Sequence, residues 1–131
     1  MMVSLITPSG SVLSHGADSV TAPGALGELG VLPGHIPLLA ALRAGVVTVR
    51  EEGRREVIAV GPGYLQVGAG DRVQMLVERA ERPDEIDIDE AQRQAEEAAA
   101  ELKAGLTGTD LTRAQTQLAW ARARIEAVQQ K

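Results

Sequence analysis

The amino-acid sequence predicts a β + α protein, in which an N-terminal antiparallel β-sandwich is followed by a C-terminal antiparallel hairpin of two helices. Two observations lead to this prediction. Up to about Glu81 the chain consists of short runs rich in Val, Ile and Leu, bounded by Gly, Pro, Asp or Ser, which is typical of closely spaced strands. From Glu85 onward the apolar residues recur every three or four positions instead, which is the period of a helix.

The runs in the first half are separated by residues that favour chain reversal. Glu51–Arg54 predicts a polar hairpin loop, and Gly68–Asp71 predicts the next reversal. Gly61-Pro62-Gly63 is typical of a turn between strands, because glycine and proline supply the backbone angles that such a turn requires. The strands predicted most directly are Val3–Ile6, Val46–Val49, Glu56–Val60, Tyr64–Val67 and Val73–Val77.

Two helices are predicted in the second half. Asp87, followed three residues later by Glu90, is typical of a capping box, and Gly105 favours the end of that first helix. Gly108-Thr109-Asp110 then begins a second helix after a loop of about six residues, and so short a connection predicts antiparallel neighbours. The apolar stripes are Ile88, Ala91, Ala95, Ala98 and Leu102 in the first helix, and Leu111, Ala114, Leu118, Ala121, Ile125 and Val128 in the second. These stripes are too short to stabilise an isolated hairpin, so we expect it to lie against another surface.

Charge is divided unevenly between the two helices. Residues 85–103 carry seven carboxylates against two basic side chains, whereas residues 104–131 carry four basic side chains against two carboxylates. One interpretation is a solvated pair of complementary helices. The other is that the second helix presents a basic face to an acidic partner. The arginines of this face are Arg113, Arg122 and Arg124.

Composition argues against several classes of function. The chain of 131 residues has a net charge of −5, and Tyr64 and Trp120 are its only aromatic residues, so nucleic-acid binding is not expected. Cysteine is absent, which excludes thiolate catalysis and cysteine-ligated metals. His15 and His35 are not spaced as metal ligands. No recognisable catalytic set is present, and no apolar run approaches the roughly 20 residues that span a bilayer. We therefore expect no catalytic residue, metal, cofactor or direct membrane insertion.

The segment Gly27–His35, with the sequence GELGVLPGH, combines three glycines, a proline, a carboxylate and a histidine. It is not a phosphate-binding loop, because no Gly-Lys-Ser/Thr follows. Together with Ile36-Pro37-Leu38-Leu39, it resembles the signature of the epsilon subunit of F-type ATP synthases. The resemblance extends over essentially the whole chain. It includes Leu5-Ile6-Thr7-Pro8, Gly61-Pro62-Gly63-Tyr64-Leu65-Gln66-Val67 and Ala80-Glu81-Arg82.

This resemblance implies a non-catalytic rotor subunit in the central stalk of a proton-translocating ATP synthase. The complex would lie at the cytoplasmic face of the bacterial plasma membrane, with this chain as a peripheral subunit. Residues 1–84 would be the sandwich domain, which contacts the gamma subunit and the c-subunit ring. Residues 85–131 would be a regulatory hairpin that reaches the alpha/beta hexamer and restrains ATP hydrolysis, with Arg113, Arg122 and Arg124 on its second helix. The residues implied in a loop at the lower contact are Gly27, Glu28, Leu29, Gly30, Val31, Leu32, Pro33, Gly34 and His35; Glu28 and His35 are the candidates for touching the ring.

Some members of this family bind ATP through an Ile/Leu-Asp-x-x-Arg-Ala motif, which suggests an alternative function as an ATP-sensing regulator. In this chain the same register reads Ile86-Asp87-Ile88-Asp89-Glu90-Ala91, so a carboxylate takes the place of the arginine. Trp120 stands where a second basic residue would help. We therefore predict weak ATP binding or none. The weak candidates for such a site are Ile86, Asp87, Ala91 and Arg124. A third interpretation, a free-standing β-sandwich enzyme, lacks a catalytic constellation.

Overall fold

The computed structural model describes residues 1–131 and confirms a β-sandwich followed by two helices. The strands are β1 (Met2–Thr7), β2 (Gly10–Gly16), β3 (Ser19–Gly24), β4 (Gly27–Val31), β5 (Leu38–Leu42), β6 (Gly45–Glu51), β7 (Arg54–Val60), β8 (Gly63–Gly68), β9 (Arg72–Val77) and β10 (Ala80–Glu81). A 3₁₀ turn at Pro83–Glu85 leads to the helices α1 (Ile88–Lys103) and α2 (Gly108–Gln130). Neither helix combines the length and apolar character needed to cross a membrane.

The strands form one hydrogen-bonded path in the order β10-β7-β6-β3-β5-β8-β9-β1-β2, with β4 attached to β3. Every pair is antiparallel except β1 with β9, which is parallel. A single residue pair, Gly24 with Leu42, joins β3 to β5. The path therefore divides at this point into two layers that face a common core.

The core consists of 17 buried apolar residues drawn from both layers. Val47 and Ile58 come from one layer, Leu65 and Met75 come from the other, and all four are fully buried. Alternate residues of each strand point inward, as the period of two requires. Because the core lies wholly within the sandwich, the helices contribute nothing to it.

The five predicted strands are confirmed within β1, β6, β7, β8 and β9. The prediction of a loop over the whole of Gly27–His35 is wrong in its first half, because Gly27–Val31 forms β4 and pairs with β3. Leu29 and Val31 point toward the core, and Val31 is 1% exposed. Gly27 and Gly30 carry no apolar side chain, so only Leu29 and Val31 show the period of two in this segment.

The helix boundaries follow local chemistry. Asp87 caps α1 by accepting a hydrogen bond from the Glu90 N–H at 3.1 Å, which confirms the first half of the predicted capping box. The second half is not formed, because Glu90 Oε1 contacts Gln94 and Arg124 instead. After α1, Gly105 adopts φ +85°, which favours glycine. The connection between the helices is four residues, 104–107, and is shorter than predicted.

The hairpin lies on the outer side of β6 and β7, as its predicted instability required. Trp120, Ala123 and Ala127 of α2 pack against Val57 and Ala59 of β7. This face of α2 is separate from the stripe that faces α1. The sequence pattern predicts only the stripe, so α2 is buried on more of its circumference than expected.

Candidate functional site

The signature segment, Gly27–His35, lies along an edge of the sandwich. Glu28 and Gly30 face outward from β4 and are exposed. A Cβ atom added at Gly27, Gly30 or Gly34 would meet no atom within 4 Å. The space over this segment is therefore open, and a partner's backbone or side chain can approach it closely.

The loop Leu32–Pro37, which connects β4 to β5, presents apolar side chains to solvent. Leu32 is 63% exposed and Ile36 is 75% exposed. Within the loop, the His35 N–H donates to the Leu32 carbonyl at 3.1 Å, and His35 Nδ1 lies 2.8 Å from the Ile36 carbonyl oxygen. Gly34 adopts φ +83°, which favours glycine whatever the space around it. The loop is thus a compact turn with an apolar tip.

A second apolar surface lies on the side of β5, β8, β9 and β1 that points away from the core. We call this side of the four strands the outer face. Ala41, Tyr64, Leu76 and Ile6 lie in register across these four strands and form one continuous row. Tyr64 is 59% exposed and Leu76 is 49% exposed. The row borders an open depression of about 620 Å³. An apolar surface of this kind is typical of a protein contact.

The large exposed apolar side chains of the chain are confined to these two areas. Met2, Leu39, Tyr64 and Leu76 lie on the outer face, whereas Leu26, Leu32 and Ile36 lie in or beside the signature segment. None of them belongs to a helix. This distribution indicates two contact surfaces on the sandwich rather than scattered exposure.

A buried arginine joins the helices to the sandwich. The side chain of Arg124 on α2 is only 7% exposed, and its Nε lies 2.8 Å from Glu81 Oε1 in β10. The angle at Nε is outside that of a hydrogen bond, so this contact is an ion pair. Arg124 Nη1 lies 3.5 Å from Glu90 Oε1 and donates to Gln94 Oε1 at 3.2 Å, both on α1. We call Arg124 with Glu81, Glu90 and Gln94 the clamp.

The three arginines predicted to act together on α2 occupy different environments. Arg113 is exposed and pairs only with Asp110 of the same helix, at 2.9 Å. Arg122 is exposed as well. Arg124, in contrast, is held inside the clamp. In this arrangement α2 therefore offers two of the three arginines to a partner.

The residues predicted as weak nucleotide ligands already have internal partners. Asp87 caps α1, Ala91 is fully buried, and Arg124 is in the clamp. Ile86 packs against the apolar cluster beneath α2. Glu90, which stands where the motif has arginine, contacts Arg124 rather than facing empty space. The register in which the resemblance implied an ATP motif is occupied here by an ion pair within the chain.

A histidine cluster, which the sequence analysis did not identify, connects the sandwich to the segment before α1. His15 Nε2 lies 2.6 Å from Glu56 Oε1, and His15 Nδ1 lies 2.7 Å from the Gly16 carbonyl oxygen. Arg82 completes the cluster through an ion pair of 2.6 Å with Glu56 Oε2. Their separation in sequence gave no signal of this contact.

The pKa values of His15 and Glu56 are both shifted from their ordinary values. The Gly16 carbonyl and Glu56 raise the pKa of His15 above its ordinary value of 6.5, with a contribution from the charge of Glu51, although partial burial opposes the shift. Burial would raise the pKa of Glu56, but hydrogen bonds from Arg82 and His15 outweigh it and hold this pKa below 4.5.

We expect the cluster to stabilise the sandwich in a limited pH window. Because the pKa of His15 is raised on folding, its contribution is complete below 6.5 and is lost as pH rises through the folded value. The contribution of Glu56 is present above 4.5 and is lost as pH falls through its lowered pKa. His15→Gln should therefore lower the melting temperature just below pH 6.5 but hardly at alkaline pH. Melting curves across this range, with His35→Gln as the control, test this; equal losses at both pH values would contradict it.

Comparison with known proteins gives a consistent result. A family model described as "ATP synthase, Delta/Epsilon chain, beta-sandwich domain" matches residues 1–83. The ATP synthase epsilon chain of Moorella thermoacetica is 45% identical over 124 residues, covering 94% of this chain and 92% of the relative. That of Geotalea uraniireducens is 47% identical over 105 residues, covering 78% and 75%.

A solved structure shows a similar fold. It belongs to the cryo-EM structure of the Euglena gracilis mitochondrial ATP synthase, described as OSCP/F1/c-ring. The superposition has a TM-score of 0.86 at 22% identity and covers 98% of this chain and 81% of that chain. The family model matches the whole sandwich, and the Moorella relative covers most of the chain at 45% identity. This chain therefore belongs to the epsilon-subunit family of F-type ATP synthases.

Proposed function

We propose that this chain is a non-catalytic subunit in the central stalk of a bacterial, proton-translocating F-type ATP synthase, where it couples proton flow to ATP synthesis. The observation that carries the proposal is the confinement of large exposed apolar side chains to two areas of the sandwich. A subunit that links a rotating shaft to a ring needs two such contacts and no catalytic group. As part of that complex it would lie peripherally at the cytoplasmic face of the plasma membrane.

The outer face is assigned to the gamma subunit. Its apolar row crosses four hydrogen-bonded strands, so the surface is stiff and broad. Tyr64 stands at the centre of this row with more than half of its surface exposed. Tyrosine is a common anchor of protein interfaces because it combines a large apolar area with a polar tip.

The signature segment is assigned to the c-subunit ring. The open space over Gly30 and Gly34 leaves the backbone accessible, while Leu32 offers an apolar contact at the tip. Glu28 and His35 remain the proposed polar contacts. The pairing of β4 with β3 makes the first half of the segment a strand, which resists bending better than a free loop does.

The hairpin is assigned a regulatory role toward the alpha/beta hexamer. The proposed division places residues 1–84 in the coupling domain and residues 85–131 in the regulatory domain. It is supported by the core, whose 17 residues lie within the sandwich, and by the separate five-residue cluster through which α2 contacts β7. An element attached through so small a cluster can leave the sandwich without disturbing the main core.

Co-purification with the gamma subunit tests the proposed function. Leu76→Asp places a charge in the apolar row of the outer face and should abolish co-purification, because an unpaired charge is costly at a desolvated contact. Gln129→Asp introduces the same charge on the exposed side of α2 and should have no effect. The fragment 1–84 should be folded by circular dichroism and should retain gamma. Retention of gamma by Leu76→Asp, or an unfolded fragment, would contradict the proposal.

A second function, ATP sensing, is favoured by one observation. Arg79, Arg113 and Trp120 border an open cavity of about 570 Å³ beside the clamp. The clamp itself opposes nucleotide binding, because Glu81 and Glu90 line the same cavity and bring negative charge to it, which repels phosphate. Calorimetric titration with ATP separates the two functions. We expect no micromolar binding, whereas a micromolar dissociation constant would favour the sensor.

A further inference from the structure

The loop Leu32–Pro37 is linked to the rest of the chain by one hydrogen bond. The Gly34 N–H donates to Asp71 Oδ1 at 2.8 Å. Asp71 lies 37 residues away in the turn between β8 and β9. The other hydrogen bonds of the loop, from His35, remain inside it. Asp71 therefore provides the hydrogen-bonded support that the loop receives from outside.

The backbone of Asp71 supports a specific role for its side chain. Its φ is +54°, in the left-handed region that glycine adopts without strain. The Asp71 carbonyl also accepts a hydrogen bond from the Met2 N–H at 2.9 Å, which fixes the turn against β1. A glycine would satisfy both backbone requirements, so only the contact with Gly34 makes use of the carboxylate.

We propose that Asp71 is a positioning residue, which holds the loop Leu32–Pro37 at a fixed height on the sandwich so that its apolar tip meets the ring in one orientation. This inference rests on the proposed function of the signature segment. Asp71 itself does not touch the ring. It acts through Gly34, whose φ of +83° aims the N–H at the carboxylate. Because Asp71 lies in the turn that joins β8 to β9, a force on the loop is transmitted to these two strands.

The chain offers a matched control for this contact. Asp18 Oδ2 accepts a hydrogen bond of 2.8 Å from the N–H of Glu52, a turn residue with φ +49°. The chemistry and distance are the same, but the turn between β6 and β7 is not part of the signature segment. Asp18→Ala therefore removes an equivalent contact without changing the loop.

Amide exchange in the full-length chain tests the positioning. Asp71→Gly removes the carboxylate and suits the backbone, so the melting temperature should not fall. Exchange of the Gly34 amide should accelerate by about tenfold, because a hydrogen bond to a charged group is lost. Asp71→Asn keeps an acceptor oxygen and a residue that tolerates this φ, so its effect should be smaller. Unchanged Gly34 exchange in Asp71→Gly would overturn the proposal.

The assembled enzyme tests the consequence for coupling. Proton transport per ATP hydrolysed should fall with Asp71→Gly, while Asp18→Ala should match the wild type and both variants should still co-purify with gamma. Equal losses with both variants, or no loss with Asp71→Gly, would overturn the proposal. Leu32→Asp separates this failure from that of the proposed function. If it also leaves coupling intact, the ring contact itself is wrong; if it uncouples the enzyme, only the role of Asp71 fails.

Discussion

Replacing Arg124 with alanine is expected to release the hairpin from the sandwich. Arg124 is the only side chain that forms an ion pair with Glu81 or Glu90, so its loss leaves both carboxylates without an ion-pair partner. The carboxylates of Glu81 and Glu90 are 29% and 41% exposed, so water screens their repulsion and the loss should be smaller than the roughly 3–5 kcal/mol of a fully buried pair. The small apolar contact of α2 with β7 has little capacity to offset such a loss.

Trp120 reports this release directly. It is the only tryptophan in the chain, is 8% exposed, and lies 5.1 Å from the Arg79 guanidinium, measured to the ring centroid. We expect the fluorescence emission of Arg124→Ala to shift to longer wavelength and amide exchange in α1 and α2 to accelerate. Arg122→Ala removes the same charge from an exposed position of the same helix and should leave both measurements unchanged. Protected helices in Arg124→Ala would show that packing alone holds the hairpin.

Two variants that affect the hairpin, one by removing α2 and one by weakening the clamp, should alter ATP hydrolysis by the assembled enzyme in opposite directions. Deleting residues 106–131 removes the helix that we propose acts as a brake, so hydrolysis should rise. Glu81→Gln with Glu90→Gln weakens the clamp but leaves every arginine of α2 in place. This pair should favour the released hairpin and lower hydrolysis. A change of about 1.4 kcal/mol in the free energy of the hairpin held on the sandwich changes the ratio of held to released hairpin about tenfold.

The deletion is expected to raise hydrolysis and the double glutamine variant to lower it. This difference in direction tests the proposed inhibition by α2 without a structure of the inhibited enzyme. Substitution of Arg113, Arg122 and Arg124 together by alanine should raise hydrolysis, as the deletion does, while synthesis and gamma binding persist. Glu96→Gln with Glu97→Gln removes two exposed carboxylates of α1 outside the clamp and serves as the control. If the triple variant loses helix content while the hydrolysis rate stays constant, the basic face serves only to neutralise α1, and the brake is wrong.

The sequence predicted the fold class because two different periods divide the chain, at two and at 3.6 residues. It predicted the turns equally well: the Glu51–Arg54 reversal has positive φ at Glu52 and Gly53. The edge strand β4 escaped prediction because its glycines contribute no apolar signal. The second face of α2 escaped for a similar reason, since Ala123 and Ala127 bury little area and stand out in no hydrophobic pattern.

The candidate site was harder to predict, because its decisive contacts join distant parts of the chain. The signature segment was singled out by its resemblance to the epsilon-subunit family, and its role as a contact stays a prediction. The clamp was not found, because a charged residue on a helix predicts an exposed position unless its partners are known. Arg124 and Glu81 are 43 positions apart in sequence, and nothing local to either one indicates their pairing.

The outer face also determines how the chain exists before it is assembled. A newly made copy carries the row around Tyr64 and Leu76 uncovered in water. Two such copies can associate through these rows, and proteases or chaperones can recognise them. If the gamma subunit covers the row, as we propose, a cell benefits from making the two subunits together, since any excess copy keeps this apolar surface exposed. The amount of this subunit recovered in soluble form should accordingly rise when the partner is co-expressed, because the partner covers the row and the fold does not change.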